Sequence, residues 1–161
     1  IVTGNARARE QFIAMGVDQY LDYKKENYWE QLSGIDHVID TLGPAEFEHE
    51  LSVLKKGGRL VSLRTGPNKA FAERHHLNGL KKLLFTLAGS KYDKAARKQG
   101  KEYRFLFVRS DGEQLRTITE IVEKEQSKPA VDSRMFSLEQ ADEALRLVSE
   151  GALNGKVIIR L

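Results

Sequence analysis

What most constrains this chain is an alternation of short apolar runs with helical periods. Ile1-Val2-Thr3, Gln19 to Tyr23, His37-Val38-Ile39 and Arg59 to Leu63 read as strands. Between the first two, Ala8, Phe12 and Met15 recur at helical spacing, with Thr3, Gly4 and Asn5 supplying turn and N-cap chemistry and Gly16 the stop. A short helix carrying Trp29 as a packing residue follows Tyr23. Pro44 then suits the first turn of a helix with Phe47, Leu51 and Leu54 on one face, and Gly57-Gly58 is expected to end it. Strands joined by helical crossovers pair in parallel. The expected fold class is therefore α/β, a parallel sheet with flanking helices.

At 161 residues the chain is about one domain long, and its composition, 40% hydrophobic and 30% charged with both signs present, is that of an ordinary globular protein. No apolar run approaches the ~20 residues that cross a bilayer, so no membrane span is expected. Without cysteine there is no disulfide, thiolate nucleophile or cysteine-held metal, which fits a reducing compartment, here read as cytoplasmic. Neither an initiator Met nor a signal pattern opens the chain, which reads as a piece of something longer.

Charge is unevenly spread. Residues 66–101 hold nine lysines and arginines against Glu73 and Asp93, a surplus of seven in a chain whose net charge is +3. Leu80, Leu83, Leu84 and Leu87 mark a helix face within that segment, expected to end near Gly89. Tyr103 to Val108 reads as another strand and Leu115, Ile118 and Val122 as a helix. Ser137 and Gln140 form a capping-box pattern before a helix that Gly151 stops, and Val157-Ile158-Ile159 reads as a last strand.

Three blocks together resemble the zinc-independent branch of the medium-chain dehydrogenase/reductase family, the quinone oxidoreductase and alkenal-reductase-like enzymes. They are Gly34-Ile35-Asp36-His37-Val38-Ile39-Asp40-Thr41-Leu42-Gly43, then Leu54-Lys55-Lys56-Gly57-Gly58-Arg59-Leu60-Val61-Ser62, and the tail from Phe136-Ser137 through Ala144-Leu145 to Gly155-Lys156-Val157-Ile158-Ile159. The resemblance implies the C-terminal part of such an enzyme. Residues 1–125 would be a partial Rossmann nucleotide-binding domain with a basic helical insertion at 66–101, and residues 126–161 a tail returning to the catalytic domain. The first Rossmann strand and its Gly-rich pyrophosphate turn would lie just upstream of Ile1, since that glycine pattern occurs nowhere here.

The implied cofactor is NADP(H), and the implied reaction is hydride transfer to a quinone or an α,β-unsaturated carbonyl without zinc. The end of a second Rossmann strand reads the adenosine ribose, an acid favouring NAD and a cation NADP. Thr3-Gly4-Asn5-Ala6-Arg7-Ala8-Arg9 stands there without an acid, which nominates Thr3, Asn5 and Arg7. Arginines in a first helical turn oppose the helix dipole by up to ~1 kcal/mol, so a bound anion would account for Arg7 and Arg9. Tyr23 matches a tyrosine that related reductases place beside the adenosine phosphate. Strand C-termini face the ligand crevice in open parallel sheets, which nominates Thr41, Leu42 and Gly43, then Leu63, Arg64 and Thr65. Phe105, Leu106 and Phe107 match a segment lying along the nicotinamide, and Asn154 with Lys156 a tail closing over the cofactor. Asp40 is expected to fix a turn, and no catalytic residue is named.

Adjacent His75 and His76 point about 100° apart on a helix, with no third ligand near, so no metal site is expected. The resemblance also implies a homodimer paired through strand 103–108, which would otherwise be an open edge. Two other classes stay open. A methyltransferase-like domain would share the Lys56-Gly57-Gly58 hinge but end in an antiparallel strand pair. A non-catalytic basic binding module would use the 66–101 cations on a polyanion; nucleic acid is not the expected partner.

Overall fold

A computed structural model of the chain describes residues 1–151, 153 and 155–160. It divides into two compact units, Ile1–Val108 and Arg109–Leu161. The first unit runs β1 (Val2–Gly4), a 3-10 turn (Ala6–Ala8), α1 (Arg9–Ala14), β2 (Tyr20–Asp22), α2 (Tyr28–Gln31), β3 (Ile35–Asp40) and α3 (Phe47–Val53). It continues through β4 (Leu54–Ser62), α4 (Lys69–Arg74), α5 (Gly79–Lys98) and β5 (Glu102–Phe105). The second holds α6 (Gly112–Lys124), β6 (Val131–Ser137), a 3-10 turn (Leu138–Gln140), α7 (Ala141–Glu150) and β7 (Lys156–Arg160).

Every strand pair among the described residues is parallel, as the crossovers require. In the first unit β1 pairs with β2, and β3, β4 and β5 form a separate three-stranded sheet with β4 central. Its core gathers Phe47, Leu51, Leu54, Leu60, Phe71, Ala96, Tyr103 and Phe105. Edge-to-face ring contacts join Phe47 to Tyr103 and Phe71 to Phe105 at 5.5 and 5.3 Å between centroids. Lys101 Nζ donates to the Leu51 carbonyl at 2.6 Å and so closes the C-terminal end of α3.

Four readings of the sequence change. The helix expected to reach Gly57-Gly58 stops at Val53, and Gly57, at φ +81°, turns the chain inside β4 instead. The strand expected over Tyr103 to Val108 ends at Phe105, and Leu106 to Val108 lie exposed beyond it. β6 carries no clean alternation and escaped the pattern. Gly89 does not end its helix: α5 continues nine residues further, to Lys98.

The reason lies in a close crossing. A Cβ on Gly89 would fall 2.6 Å from Asn68 Cα and 2.7 Å from the Pro67 carbonyl oxygen, so only glycine lets α5 rest on that backbone. Asn68 is itself buried; its side chain accepts from Phe71 N at 3.0 Å, capping α4, and donates to Asp93 Oδ1 at 2.7 Å. Through this crossing α5 turns Phe85, Tyr92, Ala95 and Ala96 onto the core. The leucine stripe is left 54–70% exposed, so it is not the face that packs on the core. Gly89→Ala should therefore cost roughly 1–3 kcal/mol by overpacking. Gly79→Ala, where a Cβ meets nothing within 4 Å, should leave stability level or raise it by less than about 1 kcal/mol. Urea unfolding of the two variants checks the contrast.

Candidate functional site

The C-terminal ends of β1, β2 and β3 come together. Thr3 and Gly4, Tyr23, and Leu42 all line one recess of about 280 Å³, whose far wall is Tyr28, Trp29 and Glu46. Trp29 packs flat on His49, ring centroids 3.7 Å apart and nearly parallel, and edge-on to Tyr28. The wall is thus rigid and aromatic. A larger cavity of about 750 Å³ opens between β1 and β3, lined by Ile1 to Thr3, Ile35 to Ile39, Thr41, Leu42 and Glu50 among others.

One carboxylate organises the strand ends. Asp40, fully buried, accepts from the backbone N–H groups of Leu42 and Gly43 on Oδ1, and from the Ser62 and Thr65 hydroxyls on Oδ2. Ser62 Oγ in turn accepts from Arg64 N and Thr65 N. Asp40 therefore fixes a turn, as expected, and beyond that it locks turn 41–43 to turn 63–65. Burial alone would raise its carboxyl, but the Ser62, Gly43, Thr65 and Leu42 donors outweigh burial and hold it below the ordinary range. Ser62 and Thr65 owe their place here to register: Asp40 pairs with Ser62 across β3 and β4.

Beside this anion lies a second buried carboxyl, Glu50 on α3, which the sequence gave no reason to single out. Its Oε2 is buried without a hydrogen-bond partner. Burial first, then the charge of Asp40 and a side-chain hydrogen bond with it, and last the charge of Glu46, push its pKa up to about 8. Burial likewise raises the Tyr28 hydroxyl, which donates to Glu46 Oε2 at 3.1 Å.

The nominated residues divide into groups. Thr3, Tyr23, Thr41 and Leu42 line the two cavities, and Gly43 lies against Arg64. Asn5 caps the 3-10 turn by accepting from Arg7 N at 3.0 Å. The Arg7 side chain is exposed and forms no ion pair among the described residues, whereas Arg9 Nη1 is engaged with the Tyr20 carbonyl at 3.2 Å. Leu63 continues the ladder to the Asp40 carbonyl, and Arg64 is exposed. Phe105 is buried in the core against Phe71, while Leu106 and Phe107 are exposed. Lys156 opens β7 in the second unit, and Asn154 lies outside the described residues.

Against known proteins, a family model described as zinc-binding dehydrogenase matches residues 15–159, and the chain belongs to that family, among the medium-chain dehydrogenases/reductases. It is 29% identical to the NAD(P)H oxidoreductase RTN4IP1, mitochondrial, of Danio rerio over 99% of this chain and 42% of that protein. It is 27% identical to a 2-methylene-furan-3-one reductase of Solanum lycopersicum over 98% of this chain and 32% of that one. A solved quinone oxidoreductase from Coxiella burnetii has the same fold, with TM-score 0.71 and 21% identity over 99% of this chain and 44% of its own. The chain thus spans less than half the length of these relatives. The parallel pairing of β6 with β7 also departs from the antiparallel ending a methyltransferase would need.

Glu50 gives a testable pH dependence. With its folded pKa near 8 and an ordinary value of 4.5, the folded state binds the extra proton between those limits. Stability should fall as pH rises from about 4.5 to 8, by up to ~1.4 kcal/mol per pH unit, and level off above. In Glu50→Gln that slope should vanish, leaving the variant more stable than wild type at pH 8 in urea unfolding.

Proposed function

We propose that the protein containing this chain is an NADPH-dependent reductase that delivers hydride to a quinone or an α,β-unsaturated carbonyl without zinc. The observation that carries the NADPH choice is the end of β1, where Gly4-Asn5-Ala6-Arg7 offers no carboxylate to a ribose and holds an exposed guanidinium with no ion pair among the described residues. The zinc-independent reading rests on the resemblance of the three sequence blocks, and the substrate class also on the names of the Solanum and Coxiella relatives.

The residues present fit the adenosine half of such a cofactor. Thr3 and Gly4 form one side of the smaller recess and the exposed Tyr23 another, and Arg7 stands free to meet an added phosphate. The turn Thr41-Leu42-Gly43 and the turn Leu63-Arg64-Thr65 would hold the nicotinamide half, since Asp40 fixes both. No glycine pattern for the diphosphate occurs in these residues. When bound, the cofactor supplies the hydride. The chain's own part is orientation: a locked pair of turns presents backbone groups at fixed positions.

On this reading, Lys156 and Asn154 belong to a tail that closes over the cofactor, and Phe105 to Phe107 to a segment near its nicotinamide. Among the described residues β5 has β4 as its one neighbour in the sheet, leaving an edge for a two-fold partner over 103–108. The basic segment 66–101 serves as a wall beside the substrate cleft. The same reading places the protein in the cytoplasm. Among the described residues no helix is long and apolar enough to cross a membrane.

Titration of the full-length parent with NADPH and NADH, read by nucleotide fluorescence, tests the assignment. NADPH should bind at least tenfold more tightly, and Arg7→Ala should shrink the gap to less than threefold. Equal affinities would overturn the NADPH preference, and no binding of either nucleotide would overturn the reductase reading.

A further inference from the structure

α5 presents one straight line of side chains to solvent. Leu80, Leu84, Leu87, Lys91, Lys94 and Lys98 follow one another at spacings of four, three, four, three and four, which keeps them on one face of the helix. Leu83 lies beside them. The opposite face carries Phe85, Gly89, Tyr92 and Ala96, held against the core and the Pro67–Asn68 backbone. The outward line is therefore set by the fold, and it changes character halfway. Over its first two turns the leucines are 54–70% exposed, and beyond them the three lysines are exposed.

Within residues 66–101 no acid joins that line. Asp93, the one carboxylate of α5, accepts from the buried Asn68. Glu73, the other acid of the segment, is engaged by Lys82 at 2.9 Å and by Lys69 at 3.8 Å. Lys91, Lys94 and Lys98 form no ion pair among the described residues. Lys91 lies over the Tyr92 ring at 4.7 Å, which leaves its charge in place. The line is also a convex ridge about 30 Å long, and neither cavity described above includes a residue of α5. A folded partner would have to bring a groove matched to this ridge, whereas a fluid one conforms to it. The surplus of positive charge calls for an anionic one.

We propose that α5 docks the protein on the surface of an anionic lipid bilayer. Leu80, Leu83, Leu84 and Leu87 enter the boundary between headgroups and acyl chains, and Lys91, Lys94 and Lys98 stay level with the headgroup phosphates. Apolar and cationic groups divide along the helix axis and not across it, so the helix rests tilted with its N-terminal half the deeper. The contact is peripheral and reversible, since a few leucines and lysines fall far short of a spanning helix. It uses the outward side of α5 alone, whether or not the inner side walls a substrate cleft, and does not rest on the cofactor reading.

Flotation of the full-length parent with vesicles of phosphatidylcholine containing about 30% phosphatidylglycerol tests the proposal. The parent should float with them in about 50 mM NaCl, bind pure phosphatidylcholine at least tenfold more weakly, and be released by about 500 mM NaCl. Changing Lys91, Lys94 and Lys98 together to Gln should weaken binding at least thirtyfold, since each lysine at an anionic surface contributes roughly fivefold. Changing Leu80, Leu84 and Leu87 together to Ser should weaken it at least tenfold and leave the melting temperature unchanged. On vesicles, the added Trp emission of Leu84→Trp should shift to the blue and that of Lys94→Trp should not; equal shifts would overturn the tilt. Absence of flotation at the lower salt overturns the proposal, as does equal binding to neutral vesicles. Undiminished binding of the serine variant also overturns it, reducing the surface to a bare patch of cations. If the serine variant melts several degrees lower or changes its oligomeric state, protein already covers the leucines and the proposal falls.

Discussion

The first unit depends on a single buried anion. Asp40 ends β3, and without its four hydrogen bonds the turns after β3 and β4 would have no common anchor. A carboxylate is costly to bury, and it stays charged here because two backbone N–H groups and two hydroxyls replace water around it. The arrangement also explains its neighbour. With Asp40 charged, the neighbouring buried Glu50 is driven to keep its proton, so the two carboxyls settle into opposite states.

Much of this was legible in the amino-acid order. The alternation from Val2 to Ser62 became the observed sequence of parallel strands and helices, because local period and crossover length together leave few other solutions. Asp40 as a turn-fixing residue followed from the family resemblance of the block that holds it. The three blocks that resembled the medium-chain dehydrogenases/reductases led to the family now shown by the match over residues 15–159.

What stayed hidden was what depends on contacts between distant segments. Gly89 looks like a helix stop until the Pro67–Asn68 backbone is seen lying across it, and no local signal reports that crossing. The leucine stripe has a convincing period, yet Phe85, Tyr92 and Ala96 win the core because Gly89 sets the rotation of the helix. Tyr103 to Val108 is apolar throughout, but pairing stops at Phe105 because the β4 ladder stops at Ser62. Glu50 reads as an ordinary polar position on a short amphipathic helix. Burial and the charge of Asp40, which comes from another element, make it a protonated acid.

The Gly89 crossing also governs how this protein can vary over time. The outward face of α5 on either side of it is solvated and rich in lysine, so its charges and even its leucines can drift with little effect on the fold. The contact point cannot, because any side chain there would push the helix off Asn68, and with it the capped end of α4 and the ring layer beneath. Selection can therefore remodel the surface character of this helix freely about one fixed fulcrum, changing what it meets without changing where it lies.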